Sequence, residues 1–100
     1  MKTIVKKSLR LPDGSEIVLT DMSSPDKSVP DFEVEQNVFK IDADGNKLWQ
    51  IKPAPPVRPR TPFTNIYFSP AGTLRAFRFD CYEHEIDIDT GEAKIVDYLK

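Results

Sequence analysis

One hundred residues, 39% of them hydrophobic and ten of them aromatic, are enough for a single folded domain with its own core. Fourteen Lys and Arg against sixteen Asp and Glu leave a formal charge of -2 spread along the chain, which gives no electrostatic footprint for nucleic acid or an anionic membrane. A single cysteine, Cys81, and a single histidine, His84, exclude an internal disulfide, a multi-cysteine zinc site and a His-rich metal centre, and no cofactor is expected.

The N-terminal stretch "MKTIVKKSLRLPDG" places lysines where a signal peptide carries its apolar run, and no segment approaches the roughly 20 apolar residues of a membrane span. A cytoplasmic protein without a membrane partner is expected. The first hairpin pairs "TIVKKSLRL" with "SEIVLT" around Pro12-Asp13-Gly14, a three-residue loop that sets Leu9 opposite Ile17. Residues 21–36, "DMSSPDKSVPDFEVEQ", are acidic and twice interrupted by proline, which predicts a surface loop anchored by Phe32 and Val34.

A second hairpin follows in "NVFKIDADGNKLWQIKP". A loop of Asp44, Gly45 and Asn46 sets Ile41 opposite Trp49 and Phe39 opposite Ile51, whereas a two-residue loop pairs Phe39 with Gln50 and splits the apolar face. The connector over 52–63 holds five prolines between Pro53 and Pro62, which predicts a stiff polyproline-type rod. Beyond it, "TNIYF", "TLRAFRF", "YEHEIDI" and "AKIVDYL" read as a four-stranded meander.

With Asp80-Cys81 as a two-residue turn, Phe79 faces Tyr82, Phe77 faces His84 and Arg75 faces Ile86, while Arg78 meets Glu83 on the other side. A four-residue loop from Asp89 to Glu92 sets Ile86 opposite Ile95, His84 opposite Asp97 and Tyr82 opposite Leu99. No dozen residues carry helical periodicity. The expected fold is all-β, a single domain built as an antiparallel meander of about seven or eight strands in hairpins, closed as a small sandwich or half-open barrel. Its apolar face is covered by the N-terminal hairpins or, in a homodimer, by a second copy.

"KIDADGNKLW" and "EIDIDTGEAKIV" share Ile-Asp-x-Asp, a turn glycine and a lysine followed by an apolar pair, offset by one blade length of a β-propeller. Residues 37–51 and 64–99 resemble the last two strands of one blade and a complete next blade of pyrroloquinoline-quinone-type propellers. "DADGNKLW" is close to the Asp-x-x-x-Gly-Lys-Leu-x-Trp turn of those blades, and Val96 stands where the second copy's tryptophan would be. The resemblance implies strand order alone, because a propeller needs about four blades and its sites are built by several of them.

Four stretches invite a chemical reading. Pro53, Pro56 and Arg58 have the P-x-x-P-x-R spacing of rods that dock into aromatic grooves, set against a plain connector between sheets. Asp42, Asp44 and Asn46, like Asp87, Asp89 and Glu92, place oxygens around turns, but a calcium loop has its glycine sixth and a Glu twelfth, where this chain has Gly45 fourth and Pro53 twelfth. Solvated turns and no metal are expected. Cys81 and His84 have the types of a thiol nucleophile and its base, yet the register aims them apart, so His84 reads as structural and no catalytic residue is assigned. Arg58, Arg60, Arg75 and Arg78 lie beside Tyr67, Phe77 and Phe79, a basic-aromatic mix opposed by Glu83, Glu85 and Asp87.

The expected function is a small non-catalytic binding module for another protein, acting through a strand edge or the proline-rich loop. The alternative is a small-molecule binder or minor enzyme with a pocket between the sheets lined by Trp49, Tyr67, Phe77 and His84.

Overall fold

A computed structural model describes residues 4–99; residues 1–3 and 100, and with them the start of the first predicted strand, lie outside the described residues. Turns come first in building the fold. Each of the five tight hairpins closes on a residue with positive φ, a glycine in four of them and Cys81, at φ 72, in the fifth. Between these turns run β1 (Val5–Arg10), β2 (Glu16–Thr20), β3 (Val38–Ile41), β4 (Lys47–Gln50), β5 (Phe63–Phe68), β6 (Leu74–Arg78), β7 (Tyr82–Ile86) and β8 (Ala93–Tyr98), with a short helix α1 (Asp31–Glu35) ahead of β3.

The strands form two four-stranded antiparallel meanders, β1-β2-β3-β4 and β5-β6-β7-β8, in a small sandwich-like fold with no closed barrel among the described residues. This is the all-β architecture expected, with the N-terminal hairpins as the covering layer. Ile17, Leu19, Val38, Trp49 and Ile51 from the first sheet meet Phe63, Ile66, Leu74, Ala76 and Ile86 from the second. Burying each of the large side chains stabilises by roughly 1.5–3 kcal/mol before the entropy of ordering them is counted.

The first hairpin has Leu9 opposite Ile17, as its loop requires. The other registers differ from expectation, each for a local reason. In the second hairpin the loop is Ala43 to Gly45, closed by the Asp42 N–H on the Asn46 carbonyl, and a bulge at Leu48 sets Lys40 opposite Trp49 and Phe39 opposite Gln50. Val38 therefore enters the core, and Phe39 and Ile41 are left half-buried outside it.

At the β6-β7 turn the Cys81 N–H donates to the Arg78 carbonyl, as the Gly14 N–H does to Leu11, so the loop holds three residues and not the expected two. One added residue exchanges the faces of a strand. Ala76 lies opposite His84 and Phe77 opposite Glu83, so Leu74, Ala76 and Arg78 point inward and Phe77 and Phe79 outward. Across to β8, His84 meets Ile95 and Ile86 meets Ala93, with a register shift beyond them. The loop over 21–36 also differs: it contains α1, Val34 and Val29 are its buried anchors, and Phe32 stands 50% exposed.

Two buried contacts tie the sheets together. The Asn37 carboxamide donates to the carbonyls of Thr20 (2.8 Å) and Phe63 (2.9 Å) and accepts from the Phe63 N–H (2.8 Å). Trp49 donates its indole N–H to the Ile88 carbonyl (2.9 Å) and lies flat on Gly91, where a Cβ would stand 2.7 Å from the ring. Beside it the Lys52 N–H bonds the Gly91 carbonyl and the Ala93 N–H bonds the Lys52 carbonyl.

Both ties generate measurable expectations. Asn37→Leu strands the Phe63 N–H and C=O in a dry site and is expected to cost about 3 kcal/mol or more, read as a lower urea midpoint at an unchanged slope. Gly91→Ala combines positive φ with overlap of the indole and is expected to destabilise by about 2–4 kcal/mol in the same measurement.

Candidate functional site

The proline-rich connector runs from β4 in one sheet to β5 in the other. It is not a straight rod: it bends over 57–60, and Arg60 has φ 63. Pro53 and Pro56 are half-buried, and the intervening Ala54 carbonyl accepts from Arg78 Nη1 at 2.6 Å. A groove-docking rod needs its prolines free on one face, whereas here Pro53 and Pro56 are each half-buried. What projects is the tip, Val57 and Arg58.

Arg78 explains why the connector sits there. Its side chain is 1% exposed, with Nε between both Asp80 carboxylate oxygens at 3.0 Å and the guanidinium 5.7 Å from the Phe63 ring centre. A buried guanidinium is tolerated when its counter-ion and hydrogen bonds are supplied, and here the adjacent turn supplies the first and the connector the second. Arg60 acts likewise on the neighbouring loop. It donates to the carbonyls of Val29 and Asp26 and to Asp31, while its N–H bonds Glu35.

These pairings also dispose of the basic-aromatic surface. Arg75 bonds Glu83 at 3.1 Å and approaches Glu85 at 3.9 Å, and Lys94 completes the ladder at 3.5 Å from Glu85. Of the four arginines named from the sequence, Arg58 alone has no ion pair among the described residues.

The four residues expected to line one pocket are placed apart. Trp49 is committed to Gly91 and Ile88. His84 is fully buried on the inner face of the second sheet, while Tyr67 and Phe77 alternate with the core residues Ile66 and Ala76 and so lie on its outer face. His84 Nδ1 lies 3.2 Å from the Tyr82 carbonyl, its ring meets Phe63 edge-on at 4.9 Å, and Nε2 has no partner. Burial, helped by the positive charge of Arg78, pushes its pKa down to about 4. The imidazole is therefore neutral at pH 7.

A surface that the sequence does not announce lies at the tip of the connector. Val57 (81% exposed), Phe79 (71%) and Tyr98 (49%) surround Arg58 and Tyr82 along a groove of about 370 Å³. A second groove, of about 460 Å³, lies beside it and is lined by Lys6, Met22, Pro25, Pro62 and Phe63. Arg58, Thr61 and Phe79 line both. A two-residue turn at Asp80-Cys81 would put Phe79 in the core; with no glycine at position 81, the extra residue that turns it outward leaves no local signal.

Among the described residues no three His, Cys, Asp or Glu side chains gather as metal ligands, and no helix is long and apolar enough to cross a membrane. Asp42 and Asp87 instead cap their own turns. Asp42 accepts from the N–H groups of Asp44 and Asn46, the latter above all holding its carboxyl below the usual range, and Asp87 accepts from Asp89 N–H.

The molecule is thus a small all-β protein of two antiparallel sheets that presents a partly apolar face around Arg58, which has no ion pair among the described residues. Residues 7–98 match the family described as Domain of unknown function (DUF7957), and the chain belongs to that family. No curated protein and no solved structure matches it.

The depressed pKa of His84 fixes a pH dependence. The unfolded chain takes up a proton near pH 6.5 and the native state only near 4, so the native state loses stability as pH falls between those values, by on the order of 3 kcal/mol. Urea midpoints at pH 7 and pH 4.5 are expected to differ strongly in the wild type and much less in His84→Leu.

Proposed function

We propose that the protein is a small non-catalytic module that binds another protein through the face formed by Val57, Arg58, Phe79, Tyr82 and Tyr98. One observation carries the reading: three large apolar side chains from the connector, the β6-β7 turn and β8 stand exposed along one groove around an arginine without an ion pair among the described residues. Isolated exposed apolar residues are ordinary, whereas clustered aromatics with an arginine have the composition of interface centres.

The strand edges are a weaker route to a partner. The edge strands β1, β4, β5 and β8 each take part in a pairing with a register shift, and bulges of that kind disrupt the regular row of backbone groups that an added strand requires. Side-chain docking on the face described therefore fits better than strand addition.

Affinity capture from the native host with the full-length chain as bait tests the reading. Phe79→Ser and Val57→Ser remove exposed side chains and leave folding intact by circular dichroism; each is expected to reduce the recovered partner by about tenfold or more. Undiminished recovery by both variants overturns the assignment of this face.

A further inference from the structure

Resting on the reading of the connector tip as a protein-docking surface, we propose that the second groove, which shares Arg58, Thr61 and Phe79 with that face, takes a second copy of the chain. Phe32 of each protomer enters the groove lined by Lys6, Met22, Arg58 and Phe79 of the other, with Glu33 meeting Arg58.

The groove has the chemistry of a receptor for an apolar side chain flanked by acid. Its walls are Met22, Pro25, Pro62, Phe63 and Phe79, and its charged rim is Lys6, Asp21, Arg58 and Arg60. The Arg60 guanidinium is taken up by Asp31 and the carbonyls of Val29 and Asp26, and Asp21 is capped by the Ser23 N–H and hydroxyl. Arg58 and Lys6 are left with no ion pair among the described residues, and of the two only Arg58 also lines the connector-tip groove.

The chain itself displays the complement. Phe32 is 50% exposed on α1, followed by Glu33, which is exposed and without an ion pair among the described residues, in a helix whose first turn is acidic and whose last turn carries no basic residue. Donor and receptor are also neighbours on one surface. The four bonds of Arg60 join the connector to the loop and helix over 26–35, and Met22 lines both the groove and the shallow hollow beside Phe32. A knob and a hole side by side on one face make a self-complementary patch, so a single two-fold axis forms both contacts at once and closes the assembly at two.

Sedimentation equilibrium of the full chain from about 10 µM to roughly 1 mM tests this, a range that covers weak isologous contacts. The wild type is expected to rise toward twice the monomer mass. Phe32→Ser, Arg58→Glu and Glu33→Arg are each expected to raise the dissociation constant about tenfold or more, since each change counts twice in the interface. Mixing Arg58→Glu with Glu33→Arg places opposite charges at both contacts, and the mixture is expected to recover dimer that neither variant forms alone.

A chain that stays monomeric throughout overturns the second-copy proposal, and so does a dimer indifferent to Phe32→Ser and Arg58→Glu. Neither result bears on the docking face itself, which fails only if Phe79→Ser and Val57→Ser leave partner capture unchanged.

Discussion

The carboxamide of Asn37 gives the backbone of Phe63 the two hydrogen bonds that a neighbouring strand would give it. Its second donor hydrogen goes to the Thr20 carbonyl, and its own backbone carbonyl accepts from the Thr20 N–H at 3.0 Å. One side chain thus joins β2 of the first sheet to the start of β5 in the second, in a site where water is excluded. Each such bond is worth about 1 kcal/mol net, but leaving its partner unmatched in that site costs more, so the junction holds the chain to one geometry.

That junction also places the ring of Phe63 among the polar side chains buried in the second sheet. Its ring covers Arg78 on one side and meets His84 on the other. Two polar side chains therefore lie on what is nominally the dry face, and each shapes its surroundings. Arg78 takes Asp80 from its own turn and the Ala54 carbonyl from the connector, which pins the first half of the proline-rich segment and leaves Val57 and Arg58 projecting. The exposed tip is the outward consequence of a buried charge being satisfied. His84, with Nε2 unpartnered, is kept neutral by the same burial.

The edges and the face divide the surface between them. Register shifts disturb the pairing of every edge strand, so strand addition is opposed along both sheets. The outer face of the second sheet carries the ladder of Arg75, Glu83, Glu85 and Lys94 beside the half-buried Tyr67 and Phe77. Exposed apolar side chains stand around Phe79, with Phe32 on α1 and a further row, Ile95, Val96 and Leu99, along β8 and just beyond it.

Turn chemistry makes the hairpins legible in the amino-acid sequence alone. Glycines at 14, 45, 72 and 91 and the self-capping aspartates 42 and 87 fix where the chain reverses. Which face turns inward is decided elsewhere. In "LRAFR" followed by Phe79, the set Leu74, Ala76, Arg78 and the set Arg75, Phe77, Phe79 each hold two apolar residues and one arginine, so hydrophobic alternation is silent. In "VFKI" it favours Phe39 and Ile41, yet Val38 is the buried residue, and Lys40, on the same side of the strand, reaches the Ile88 carbonyl at 3.2 Å. A pleated strand offers two faces of nearly equal worth, and contacts tens of residues distant, from Asn37, Ala54, Ile88 and Gly91, choose between them. Local sequence set the turns and the order of the strands; only the packed tertiary structure could supply the partners that let an arginine, a histidine and a lysine lie on the inner side.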